Sequence, residues 1–146
     1  MNEVFTVSRI FDAPRDLVWD VWTKPEHFAV WFGTEAVRVP LDTVTMDVRA
    51  GGDLRAVMHT EDGAVIHWHG KYITVDRPAH IAFTISDDPE VDADEPITVD
   101  FEEVSGGTRV TLNQPRGDFS DDQVAATKKG YNDFFDSFDK VLGTVR

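Results

Sequence analysis

The sequence predicts an α+β fold: a curved antiparallel sheet of six or seven strands, two short helices, and one long C-terminal helix laid across the concave face of the sheet. Three observations predict it. Two proline-led helical phrases follow directly on an opening strand. Most of the middle alternates with a period of two between short turn sequences. The end carries a helix-capping signature followed by apolar residues at helical spacing.

Residues 3–11 alternate as a first strand. Pro14 then opens a helix to about Trp22, with Leu17, Val18, Val21 and Trp22 giving it an apolar face. Thr23-Lys24-Pro25 breaks that helix, and Pro25 starts a second one carrying Phe28, Trp31 and Phe32. Gly33 is expected to stop it as a left-handed cap. Strands follow near 36–40, 44–49, 53–60, 64–75, 79–86, 96–104 and 108–114. Turns at 50–53, 61–63, 76–78 and 105–107 are short enough to make neighbours antiparallel. In 97–103 and 108–113, Ile97, Val99, Phe101, Val110 and Leu112 share the inner face.

The 61–63 loop sets the register of the central hairpin, and a slip of one residue would turn every side chain over. A three-residue loop places Met58 opposite Ile66, Ala56 opposite Trp68 and Leu54 opposite Gly70. It gathers the apolar residues, with Tyr72, on one face and leaves Arg55, His59, His67, His69 and Lys71 outside. At the end, Ser120-Asp121-Asp122-Gln123 is a capping box with two carboxylates at the positive end of the helix dipole. Apolar residues at 124, 131, 134, 135, 138, 141 and 142 follow, with Gly143 as the expected stop. About 22 helical residues span about 33 Å, enough to cross a sheet.

Composition narrows the function. The 146 residues are expected to form a single domain, 1–146, around one core. A net charge of 14 − 27 = −13 opposes binding to nucleic acid or to an anionic membrane. The absence of Cys removes disulfides, thiolate nucleophiles and zinc-thiolate sites. No apolar run reaches the length of a membrane span, and the start shows no signal peptide, so the expected location is cytoplasmic.

The stretches Phe11-Asp12-Ala13-Pro14-Arg15, Val18-Trp19, Trp22-Thr23-Lys24-Pro25-Glu26 and Trp31-Phe32-Gly33 carry a resemblance. Arg49-Ala50-Gly51-Gly52, Trp68-His69-Gly70, Phe83-Thr84 and Gly106-Gly107-Thr108-Arg109 extend it. Together they resemble the START-like, helix-grip superfamily (SRPBCC), most closely the bacterial proteins similar to the activator of the heat-shock-protein-90 ATPase. The match spans nearly the whole chain, with one departure: Gly130-Tyr131 stands where the family often has Gly-Trp. The resemblance implies a cavity between the long helix and the sheet that takes an apolar ligand. Carried onto this chain, it assigns ligand binding to Leu54, Met58, Trp68, Tyr72, Phe83, Tyr131, Phe135 and Phe138, with Trp31 and Phe32 near the mouth.

Other residues have a chemical reading beside a plainer one. Gly130, in mid-helix, either leaves room for a ligand or neighbouring ring or permits close helix–sheet packing. His59, His67 and His69 on one face could ligate zinc, against a solvated surface. Six carboxylates within 87–95 could attract calcium, but they lack the spacing of an EF-hand loop. Arg49 either reaches the cavity or pairs with Asp47 or Glu35. His27 and His80 read as surface residues. There is no G-x-S-x-G, phosphate loop or dinucleotide fingerprint, and Tyr72, Tyr131 and Arg49 are the residues left to serve acid–base chemistry. The expected function is non-catalytic binding of a small or medium hydrophobic molecule, with no cofactor and no metal. The alternatives are a co-chaperone-like module that docks on a chaperone or other protein, and a cavity enzyme of cyclase, dehydratase or hydrolase type.

Overall fold

In the computed structural model, residues 4–33, 37–88, 90 and 95–145 are described. In chain order they form β1 (Val4–Phe11), α1 (Arg15–Thr23), α2 (Pro25–Phe32), β2 (Val37–Arg38), β3 (Thr45–Met46) and β4 (Asp53–Thr60). There follow β5 (Val65–Asp76), β6 (His80–Phe83), β7 (Ile97–Val104), β8 (Gly107–Pro115) and α3 (Asp121–Val145). The strands make one sheet in the order β1-β8-β7-β6-β5-β4-β2, with the two-residue β3 also beside β4. All the pairings are antiparallel.

The first strand lies against the last. Val7 faces Leu112 and Phe11 faces Thr108 across the β1–β8 pair. The Thr108 hydroxyl, fully buried, donates to the Ala13 carbonyl at 2.8 Å and ties the start of the helical layer to the sheet. On β7 and β8, Ile97, Val99, Phe101, Val110 and Leu112 are all buried on the inner face. The central hairpin has the three-residue-loop register: Met58 pairs with Ile66, Ala56 with Trp68 and Leu54 with Gly70. Gly63 adopts φ +88° in that loop, a conformation that glycine reaches without steric cost.

Local details differ from the sequence expectation in several places: the sheet has eight strands rather than six or seven, because the strands expected near 36–40 and 44–49 persist as the two-residue β2 and β3. Gly33 ends α2 at φ −76°, in extended rather than left-handed backbone. Its small size is used for proximity, since a Cβ there would lie 3.2 Å from the Val37 carbonyl oxygen and 3.3 Å from that of Ala29. α3 continues through Gly143 to Val145. The 79–86 strand shortens to β6, because the β5–β6 register shifts between Tyr72 and Thr74. Just before that shift the chains pass so closely that a Cβ on Gly70 would sit 1.7 Å from the Thr84 carbonyl oxygen. Such irregularities bend a sheet, and this one lies under the centre of the inner face. Glu35, and Asp92 and Asp94 of the acidic 87–95 stretch, lie outside the described residues.

α3 is held unevenly. Its N-terminus forms the capping box: the Ser120 amide donates to Gln123 Oε1 at 2.8 Å, and the Gln123 amide donates to Ser120 Oγ at 3.2 Å. Yet its buried residues, Phe135, Phe138, Val141 and Leu142, all fall in the C-terminal half. Phe138 meets Phe11 at 4.9 Å, Trp31 at 5.5 Å and Trp22 at 5.8 Å between ring centres, and Phe135 meets Phe11 edge-on at 5.7 Å. The Trp31 indole donates to the Val21 carbonyl at 2.9 Å, which fixes α2 against α1. Half of α3 is thus cemented to β1 and the two short helices, while the other half overhangs the sheet.

Phe138 is 0% exposed and touches three elements at once, so Phe138→Ala should lower stability by about 3–5 kcal/mol. Urea denaturation followed by tryptophan fluorescence checks this; a loss below about 1 kcal/mol would show that the site collapses around the missing ring.

Candidate functional site

The overhang covers a cavity of about 440 Å3 that is open at one side. Its roof is the first half of α3, presenting Thr127, Gly130, Tyr131 and Phe134. One wall is the α2 face of Phe28, Trp31 and Phe32, joined by Trp22 from α1. The floor is the inner face of the sheet. Leu54 comes from β4, Trp68 and Tyr72 from β5, Phe83 from β6, Ile97 from β7, and Leu112 and Gln114 from β8. Met46, Phe119, and Ile85, Ser86 and Asp87 beyond β6 complete the rim.

Aromatic stacking sets the wall. Phe28 and Phe32 stack at 4.7 Å, and Phe32 stacks on Phe134 at 5.1 Å and meets Trp68 edge-on at 5.9 Å. These contacts join α2 to the roof and to the floor at one end and leave the middle open. Gly130 contributes to that opening: a Cβ built on it would meet nothing within 4 Å. Of its two readings, room rather than close helix–sheet packing matches the geometry.

Of the ten residues assigned from sequence, eight line the cavity: Trp31, Phe32, Leu54, Trp68, Tyr72, Phe83, Tyr131 and Phe135. Met58 and Phe138 do not. Both are buried in the packed core, Phe138 beneath the pinned half of α3. Sequence reasoning missed the rim at 85–87, the wall residues Trp22 and Phe28, and Phe119, Gln114 and Phe134. Phe134 was on the recognised apolar stripe of the last helix, and Leu112 and Ile97 were on recognised inner faces. The rim residues follow the last regular β6 pair, where no periodicity speaks.

The polar groups of the cavity are few. The Tyr131 hydroxyl donates to Gln114 Oε1. Tyr72 is 2% exposed, and its hydroxyl makes no hydrogen bond among the described residues. Burial raises the pKa of both phenols well above the ordinary value near 10. Both therefore stay protonated near neutral pH and serve as hydrogen-bond donors rather than bases. The Trp68 indole nitrogen is also buried without a partner.

The remaining candidates lie elsewhere. Arg49 is exposed and pairs with Asp47 at 2.9 Å, away from the cavity lining. His69 Nε2 donates to the Asp88 carbonyl at 2.8 Å, and His80 pairs with Asp100 at 2.6 Å. Among the described residues no three His, Asp or Glu gather closely enough to hold a metal ion. No helix among them is long and apolar enough to cross a membrane.

A long C-terminal helix closing over an antiparallel sheet, with two short helices after the first strand, defines a helix-grip protein of the START-like superfamily. More narrowly, the chain belongs to the family described as Activator of Hsp90 ATPase homolog 1-like protein, whose model matches residues 12–143. No curated protein matches it closely enough to count as a relative. Solved structures agree in fold. A Staphylococcus epidermidis protein has 25% identity and a TM-score of 0.80, with 99% of this chain and 92% of that one covered. The AHSA1-like protein from Aeromonas hydrophila has 20% identity and a TM-score of 0.79, covering 97% and 93%. A Rhodobacter sphaeroides protein has 18% identity and a TM-score of 0.82, covering 98% and 93%.

The two raised phenols are the only tyrosines in the chain. A pKa raised on folding contributes stability that is present below about pH 10 and is lost as pH climbs past it toward the folded-state value. Absorbance near 295 nm should therefore show no tyrosinate in the native protein at the usual phenol midpoint. The signal should appear together with the loss of tertiary structure above it. Gradual ionisation near pH 10 with the fold intact would mean that the phenols are solvated.

Proposed function

We propose that this protein binds a small or medium hydrophobic molecule in the cavity between the first half of α3 and the sheet. The observation that carries this reading is the partly enclosed, aromatic-walled space itself. Its volume of about 440 Å3 falls in the range of small-molecule sites. Its lining is dominated by aromatic and aliphatic side chains, with a few polar groups to orient a guest. A well-packed core of this composition would leave no such volume. The ligand-binding set proposed here is the eight lining residues assigned from sequence, joined by Phe134 and Gln114.

The family's description, which names an activator of a chaperone ATPase, favours docking on another protein as the second reading. That role would use the outer surface, so filling the cavity would not disturb it.

Gly130→Leu separates the two. A leucine there would project into the open space and occupy it, and removing a mid-helix glycine should add about 1 kcal/mol of stability. The uncharged fluorophore N-phenylnaphthylamine should brighten with the unaltered protein and raise its melting temperature by mass action. The variant should bind it roughly tenfold more weakly or worse. Equal binding by both proteins would place the guest outside the cavity and defeat the reading.

A further inference from the structure

The polar groups of the cavity specify more than an apolar guest. The Tyr72 side chain stands on the floor, in the middle of β5, with 2% of its surface exposed. Its hydroxyl has no protein partner among the described residues. It is not among the fully buried unpartnered polar atoms, so it keeps some accessible surface, and Tyr72 lines the cavity. A buried hydroxyl without a partner is a standing cost that an acceptor on a guest would relieve. Across from it, Tyr131 and Gln114 are already engaged with each other.

Charge in the lining is one-sided. No Lys, Arg or His lines the cavity among the described residues, and the single acidic side chain in the lining is Asp87, exposed at the rim. A carboxylate entering this space would shed its hydration with no cation to replace it. It would also pass a negative rim on a protein of net charge −13. An ammonium group would find aromatic faces but only one carboxylate, a solvated one at the rim, as an ion-pair partner, and such pairs are weak.

We infer that the cavity selects an uncharged, ring-sized hydrophobic molecule bearing a carbonyl or ether oxygen, which accepts a hydrogen bond from the Tyr72 hydroxyl, and that it discriminates against carboxylates. This inference rests on the cavity reading above and adds the chemical class of the guest. Nothing in it depends on catalysis.

Four naphthalenes of one ring system and near-equal size test it by calorimetric titration at neutral pH: acetylnaphthalene, isopropylnaphthalene, naphthoate and naphthylmethylamine. The ketone should bind best, roughly tenfold tighter than the isopropyl compound, which lacks the acceptor, and by a larger factor over naphthoate. Tyr72→Phe, which removes only the hydroxyl, should narrow the advantage of the ketone over the isopropyl compound to about twofold. The ranking on the unaltered protein does not depend on the variant folding. Tightest binding by naphthoate or by the amine would overturn the inference and leave the cavity reading standing. So would equal binding of ketone and isopropyl compound, or a ketone advantage that survives Tyr72→Phe. Binding by none of the four, with N-phenylnaphthylamine also inert, would overturn both.

Discussion

The rest of the structure depends on one aromatic junction. Phe138 of α3 inserts among Phe11, Trp22 and Trp31, which belong to β1, α1 and α2. Aromatic side chains bury large areas and gain further from edge-on and tilted contact, so this cluster holds four separate elements in one place. The 2.9 Å bond from the Trp31 indole to the Val21 carbonyl keeps a polar atom satisfied inside it. Neither proline-led helix is long enough to be stable alone in water; both are held by what they bury here.

A hollow follows from where that junction sits. It lies toward the C-terminal end of a 25-residue helix, so only that half is drawn onto the sheet edge and the short helices. The other half is carried out over β5, β6 and β7 at a height set by the junction, with the Phe32–Phe134 stack as a prop. A glycine at 130 leaves the gap unfilled from above. Below it, the β5–β6 register shifts between Tyr72 and Thr74, an irregularity of the kind that bends a sheet, and Tyr72 and Phe83 line the gap.

The sequence made much of this legible. The capping box at 120–123 identified the start of α3, because both of its bonds depend on side chains three residues apart. The hairpin register could be chosen because only one loop length put Leu54, Ala56, Met58, Ile66 and Trp68 on a single face. Face, however, is all that periodicity reports. Met58 and Phe138 share a face with residues that line the cavity, yet both are core, because the height of a helix above a sheet is decided by packing between distant residues. Gly130 was ambiguous for the same reason. The rim at Ile85, Ser86 and Asp87 was illegible because it follows the last regular pair of β6, where alternation carries no information. Gly33 was read as a conformational glycine, whereas two carbonyl oxygens, one of them four residues ahead in sequence, make it a spatial one.

The division of α3 also bears on how such a chain can diversify. The side chains that hold the helix in place and those that face the cavity fall mostly on different turns of the same rod, with Phe135 serving both. Substitutions at 127 and 130 can therefore reshape the chamber with little penalty to folding, while those at 135, 138, 141 and 142 cannot. A scaffold partitioned in this way keeps its architecture at 18–25% identity.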